Sequence, residues 1–320
     1  MTISSYWQID TAAEPRRAEP SLRPRLPALV RDRRRPSQNR FDYYAQLAQA
    51  AAQTGFDGVF LPYRRDADES RIVAAVVARA APRIVVVPEF PASVGSAVYA
   101  AKQATTFQRS TGGRFGWAIA PDADAATRAA EGDDIGDDAL HERTDEFLTV
   151  ARGVHDRRPF TFAGRHFEVK DGGFDAPLNR LPFPKLFLQG EDEKALALSA
   201  RHADVHLFRA APAERLAAAI AWLGELAAQA GRRVAFGLIQ PVLVRETEEE
   251  ARQEAARGAA GEGALVGSFD GVAADLTRLA DLGISHFVLS STPSLEEGYR
   301  VGQHLLPRLH SLTGARRAVA

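Results

Sequence analysis

Residues 41–61, FDYYAQLAQAAAQTGFDGVFL, decide the fold class. Phe41, Tyr44, Ala45, Ala48 and Ala51 recur at helical spacing and predict one apolar helix face. Gly55 then suits the position just past the helix end, where a left-handed backbone is needed. Gly58-Val59-Phe60-Leu61 follows without a polar interruption, as expected of a strand covered on both faces. The stretch is one helix-to-strand step of a parallel α/β fold.

The same beat runs outward in both directions. A helix over 69–80 leads to Ile84-Val85-Val86-Val87, and a helix over 94–109 passes through Thr111-Gly112-Gly113 into a strand over 115–120. After a helix over 138–154, residues 160–169 carry two alternating segments around Gly164 and predict a β-hairpin insertion. Strands over 185–188, 205–208 and 234–244 alternate with helices over 192–202, 212–230 and 248–257. A helix over 272–282 stops at Gly283, a strand covers 286–289, and Ser294 with Glu297 suggests a capping box for the last helix. With Ile3 to Ile9 as the opening strand the count is eight, which predicts a (β/α)8 barrel over 1–313 as one domain.

Two stretches break the rhythm. Residues 14–40 hold nine Arg and five Pro and read as a loop after the first strand, either solvated or lining the mouth of an anion site. Residues 255–267, rich in Ala, Gly and Glu, read as a second loop, and 314–320 as a frayed tail.

Composition narrows the function classes. Lys plus Arg number 40 against 41 for Asp plus Glu, so there is no global field to attract nucleic acid. There is no Cys, which removes disulfides, thiolate metal sites and a cysteine nucleophile. No paired His/Asp motif sits on one strand end, so no metal site is expected. The absence of a long apolar run, with Asp10 and Glu14 near the N-terminus, argues against membrane insertion or a signal peptide and for the cytoplasm.

Specific words carry the argument beyond the barrel. They are Ala264-Leu265-Val266-Gly267, Val272-Ala273-Ala274, Leu282-Gly283-Ile284, Phe287-Val288-Leu289-Ser290, Leu295-Glu296-Glu297 and Tyr299-Arg300-Val301-Gly302. Supporting words are residues 55–59 with Pro62, residues 100–105, Arg143-Thr144-Asp145-Glu146-Phe147 and residues 242–247. Their order and spacing resemble the alkanesulfonate monooxygenase branch of the flavin-dependent, bacterial-luciferase-like monooxygenases. That resemblance implies a two-component enzyme: a separate flavin reductase supplies reduced FMN, and the flavin performs the oxygen chemistry on a small substrate. It also implies a dimer or tetramer, or assembly with a paralogue.

The polar positions depart from the family. On the substrate side, Ala67 stands where relatives carry a Cys, Ile239-Gln240-Pro241 where they carry an Arg and a His, Thr292 where they carry a Tyr, and Arg209 where they carry a Trp. The mobile lid is shortened to residues 255–263. Tyr63, Arg64, Arg65, Arg209 and Thr292 are the substrate-binding candidates; the arginines can grip a sulfonate or simply face solvent. No catalytic residue is assigned.

On the cofactor side the candidates are Trp117, His141, Gln189 and Gly190. Relatives anchor phosphate with Gly and Ser at the start of the helix after the fifth strand, where free N–H groups and the helix dipole favour an anion. Here that turn reads Gln189-Gly190-Glu191-Asp192-Glu193, and the turn after the fourth strand reads Pro121-Asp122-Ala123-Asp124. Such carboxylates are good helix caps, yet each would repel a phosphate by roughly 3 kcal/mol at about 5 Å and an effective dielectric near 20. FMN is therefore expected to bind weakly, with Arg or His at its phosphate. His141 replaces a phosphate-binding Tyr and can donate to a phosphate or sit on a helix surface. Trp117 can wall the isoalloxazine ring or fill the core.

Two functional readings follow. One is a monooxygenase acting on an organosulfur or similar small substrate with relocated polar residues. The other is a non-catalytic barrel, either a partner subunit or a small-molecule binder. A deazaflavin enzyme ranks below both, since its phosphate meets the same acidic turn.

Overall fold

A computed structural model of the chain describes residues 2–10, 12, 14, 40–121 and 123–314. The Arg/Pro-rich segment, apart from Glu14 and Arg40, lies outside the described residues, as do Asp122 and the tail beyond Gly314.

Eleven strands occur among the described residues: β1 (Ser4–Gln8), β2 (Gly58–Leu61), β3 (Val85–Phe90), β4 (Gly116–Ile119), β5 (Phe160–Ala163), β6 (Glu168–Gly172), β7 (Lys185–Gln189), β8 (Val205–Arg209), β9 (Ala235–Arg245), β10 (Leu265–Ser268) and β11 (Ile284–Ser290). The helices are α1 (Arg40–Thr54), α2 (Ser70–Ala80), α3 (Ala97–Ser110), α4 (Ala125–Ala130), α5 (Leu140–Asp156), α6 (Glu193–His202), α7 (Ala213–Gln229), α8 (Glu248–Ala256), α9 (Phe269–Asp281), α10 (Ser294–Arg300) and α11 (Leu306–Thr313). The large sheet runs β10-β9-β11-β1-β2-β3-β4-β7-β8, and β8 also pairs with β9. That last pairing closes eight parallel strands into a (β/α)8 barrel, with β10 as an added strand beside β9. The expected hairpin is β5 with β6, antiparallel.

Contacts divide the chain into two compact units. In the first (Met1–Val86, Gln240–Thr277, Val288–Ala320), fully buried Trp7 donates its indole N–H to Ser294 Oγ at 3.1 Å and packs on Phe56 at 5.4 Å. Gly302 lets its helix touch α1, because a Cβ there would stand 2.0 Å from Thr54 Oγ1. Arg245, at the end of β9, reaches Glu297 of α10 at 3.1 Å and also pairs with Glu254 of α8. Buried Glu297 also pairs with Arg300, so two cations offset the cost of burying its charge.

In the second unit (Val87–Ile239, Arg278–Phe287), strand parity sorts the side chains. Phe90, Trp117, Ile119, Leu186 and Leu188 face the helices and join Phe147 and Ala151 of α5 in one core. Gly116 points the other way, where a Cβ would meet Val87 and Phe187 at under 3 Å.

Four local expectations are corrected. Phe41 is 43% exposed, and Tyr43 and Leu47 take its place on the buried face of α1. Helix α3 begins at Ala97 rather than Val94, because Ser96 caps the N–H of Tyr99. Ser294 and Glu297 form no capping box, because Trp7 engages the hydroxyl and Arg245 the carboxylate. The loop expected over 255–267 becomes a strand from Leu265, drawn into register beside β9. A capping box does occur at Thr247 and Glu250, opening α8.

Candidate active-site cleft

Where β4 and β7 end, the second unit holds a cleft of about 490 Å³. Ile119, Leu140, Leu188 and Leu198 give it apolar walls, and its size falls in the usual range for small-molecule sites. The chain leaves β7 through Gln189 and Gly190 and turns at once into α6. Gly190 has φ +125°, and a Cβ there would lie 2.4 Å from the Ala195 methyl group, so only glycine fits. Asp192 then caps α6, its carboxylate accepting the N–H of Ala195 at 2.9 Å. On the other side Asp124 caps α4, accepting the N–H of Thr127 at 3.0 Å and its hydroxyl at 2.7 Å. These Thr127 bonds hold the Asp124 carboxyl below its ordinary pKa.

The remaining polar lining is likewise committed. His141 of α5 places Nε2 3.5 Å from Asp192 Oδ1. Arg128, buried, donates to the carbonyl of Ala123 and pairs with Asp137. Gln189 donates its amide to Glu89, a carboxylate 5% exposed on β3, while its own Oε1 is buried without a partner.

Of the residues expected to form the site, His141, Gln189 and Gly190 meet in this cleft. Trp117 does not line it; the indole is 1% exposed and packs on Phe90, Phe147 and Phe183 at 5.1–5.7 Å, so it is core rather than a wall for a ring system. Arg209 is exposed and borders a separate hollow of about 60 Å³ with Glu191 and Arg215. Tyr63, Arg64, Arg65 and Thr292 belong to the first unit. There Arg64 binds Asp10 at 2.7 Å and Arg65 meets Asp66 at 3.2 Å, so both have local carboxylate partners; Tyr63 is half-buried and Thr292 exposed. Gln240, where relatives are expected to present substrate contacts, is 3% exposed and donates to the carbonyls of Pro241 and Gly263, tying down the shortened lid.

Sequence reading missed Glu89. Its signal was available: a carboxylate inside the apolar run Val85-Val86-Val87-Pro88-Glu89-Phe90, at the strand end where barrels place function. Arg128 and Thr144, both buried and both lining the cleft, carried no comparable mark.

An FMN phosphate does not fit the expected position. A helix start binds phosphate through N–H groups left free, and here the aspartates at the starts of α6 and α4 each take one of those groups and set a carboxylate beside the rest. Three carboxylates, from Asp124, Asp137 and Asp192, face one guanidinium already paired with the second of them.

Among solved structures, the chain is similar to riboflavin lyase, solved with modified FMN and riboflavin, at TM-score 0.82 and 16% identity over 100% of this chain and 94% of that one. EDTA monooxygenase from Chelativorans sp. BNC1 matches at TM-score 0.77 and 18% identity, covering 88% and 89% of the two chains. Coenzyme F420-dependent tetrahydromethanopterin reductase from Methanopyrus kandleri matches at TM-score 0.74 and 15% identity, covering 97% and 100%. At these identities the likeness establishes the fold. The family model for luciferase-like monooxygenases matches residues 26–283, more than half the chain, and the protein belongs to that family.

Proposed function

We propose that the protein is a flavin-dependent monooxygenase that receives its flavin reduced from a separate reductase and oxygenates a small organosulfur or related substrate. The family match over residues 26–283 carries this reading, and the cleft at the strand ends supports it. Apolar walls from Ile119, Leu140 and Leu188 limit water around the space where a bound flavin would supply its oxygen chemistry. Gln189, which lines the cleft and is bonded to the buried Glu89 of β3, keeps a spare acceptor in its Oε1. A cytoplasmic homodimer or tetramer, or assembly with a paralogue, belongs to the same reading; light scattering after gel filtration checks the oligomer.

Oxygen uptake tests the function. Purified protein, a flavin reductase with its nicotinamide donor, and FMN or riboflavin are mixed with a panel of alkanesulfonates and organic sulfides. Uptake that needs both the protein and an organosulfur compound is the expected result. Uptake no faster than with reductase and flavin alone, across the whole panel, would replace the enzyme with a non-catalytic binding barrel.

A further inference from the structure

The groups around the cleft in the second unit are unusually one-sided. Asp192 gives one carboxylate oxygen to its own helix and Asp124 gives both, and each oxygen keeps a further lone pair able to accept. Gln189 adds a third acceptor by a simple constraint. The bond that Gln189 Nε2–H donates to the Glu89 carboxyl turns the NH2 toward β3 and leaves Oε1 on the other side, buried and without a donor. Arg128, the cation of the lining, is held by Asp137 and the carbonyl of Ala123. His141 and Thr144 are the lining side chains able to act as either donor or acceptor, and His141 stands beside Asp192. A ligand seated here has to bring hydroxyl or N–H donors, and a second anion would meet carboxylates in place of free helix N–H groups.

We propose that this cleft binds a neutral, donor-rich flavin, the dephosphorylated form with its ribityl hydroxyls, and discriminates against the phosphate of FMN. The inference rests on the flavin reading above and adds the identity of the polar end that the site accepts. Discrimination arises at Asp192 and Asp124, whereas Gln189, positioned by Glu89, supplies affinity common to both flavins. Because the Asp192 side chain is 62% exposed, its repulsion is partly screened, and the expected effect per carboxylate is a few-fold to about tenfold in affinity.

The experiment titrates the full-length protein with oxidised riboflavin and with FMN, following quenching of flavin fluorescence. Riboflavin is expected to bind at least about tenfold more tightly than FMN in dilute buffer, and the gap to narrow at ~0.5 M salt, where screening is short-ranged. Asp192→Asn and Asp124→Asn keep a competent helix cap while removing the charge. Each should strengthen FMN binding with little change for riboflavin, and the double variant should bring the two flavins close together. Gln189→Leu should weaken both flavins alike. If FMN binds the unmodified protein as tightly as riboflavin, or if the asparagine variants leave the ratio unchanged, the discrimination is wrong while flavin dependence stands. If neither flavin is bound, oxidised or after anaerobic reduction, both the discrimination and the flavin reading fall.

Discussion

Gly190 and Glu89 show what single residues decide. Replacing Gly190 by Ala forces a side chain into φ +125° and against Ala195, so Gly190→Ala should cost about 1–3 kcal/mol in urea unfolding and weaken flavin quenching. Full stability in that variant would mean that the turn relaxes freely and shapes nothing. His141, Gln189 and Gly190 could be named from sequence because the family resemblance implies a phosphate-side position for each, and the cleft brings the three together. Trp117 could not be placed that way. Its strand is apolar on both faces, so alternation alone leaves open which face meets the helices, and packing against Phe147 settles it. Glu89 was hidden by the same effect, a polar residue absorbed into an otherwise apolar run.

Between elements, charged groups act as fasteners. Glu146 of α5 accepts the N–H groups of Arg165, His166 and Phe167 at 2.7–3.0 Å and so fixes the turn of the β5–β6 hairpin. Burial opposes its ionisation, but the backbone bonds from His166, Arg165 and Phe167 outweigh burial and lower its pKa. The folded carboxyl therefore titrates below the unfolded one; its stabilisation is complete above the ordinary glutamate range and is lost as pH falls through the lowered value. Glu146→Ala should abolish slow amide exchange at residues 165–167 and spare the barrel strands; unchanged protection would refute the fastening role. The Arg245–Glu297 pair is a second fastener. Arg245→Ala takes away one of the two cations that hold the buried Glu297 carboxylate, Arg300 being the other, and should cost about 1–3 kcal/mol, whereas Arg245→Met paired with Glu297→Leu should recover part of the loss, read by urea midpoints. These fasteners lie within the same words that carry the family resemblance at 143–147, 242–247 and 295–297, so those words mark scaffold more than chemistry. The apparent Ser294–Glu297 capping box misled for that reason: the spacing was right, but both side chains were needed by Trp7 and Arg245.

For the molecule as a whole, acid stability is the accessible test. Burial pushes His206 down to about 4, and burial with the Lys185 charge does the same to His286. Unfolded, each takes up its proton near pH ~6.5, so their contribution is intact above that value and declines as pH falls toward 4, by about 3 kcal/mol per histidine. Unfolding free energy measured across that range should fall less steeply in His206→Gln and His286→Gln, and least in the double variant; parallel acid limbs would show that neither histidine is kept neutral. The alternation of apolar strands and amphipathic helices fixed the barrel and the hairpin, because periodicity and turn chemistry are local and survive without knowledge of partners, whereas the family rested on specific words along the chain. Tertiary structure alone decided that Trp117 is core, that Arg64 is paired with Asp10, and that Asp192 closes the helix start it lies on. Those outcomes depend on which charge or ring arrives from a distant part of the chain, and one dimension does not encode that distance.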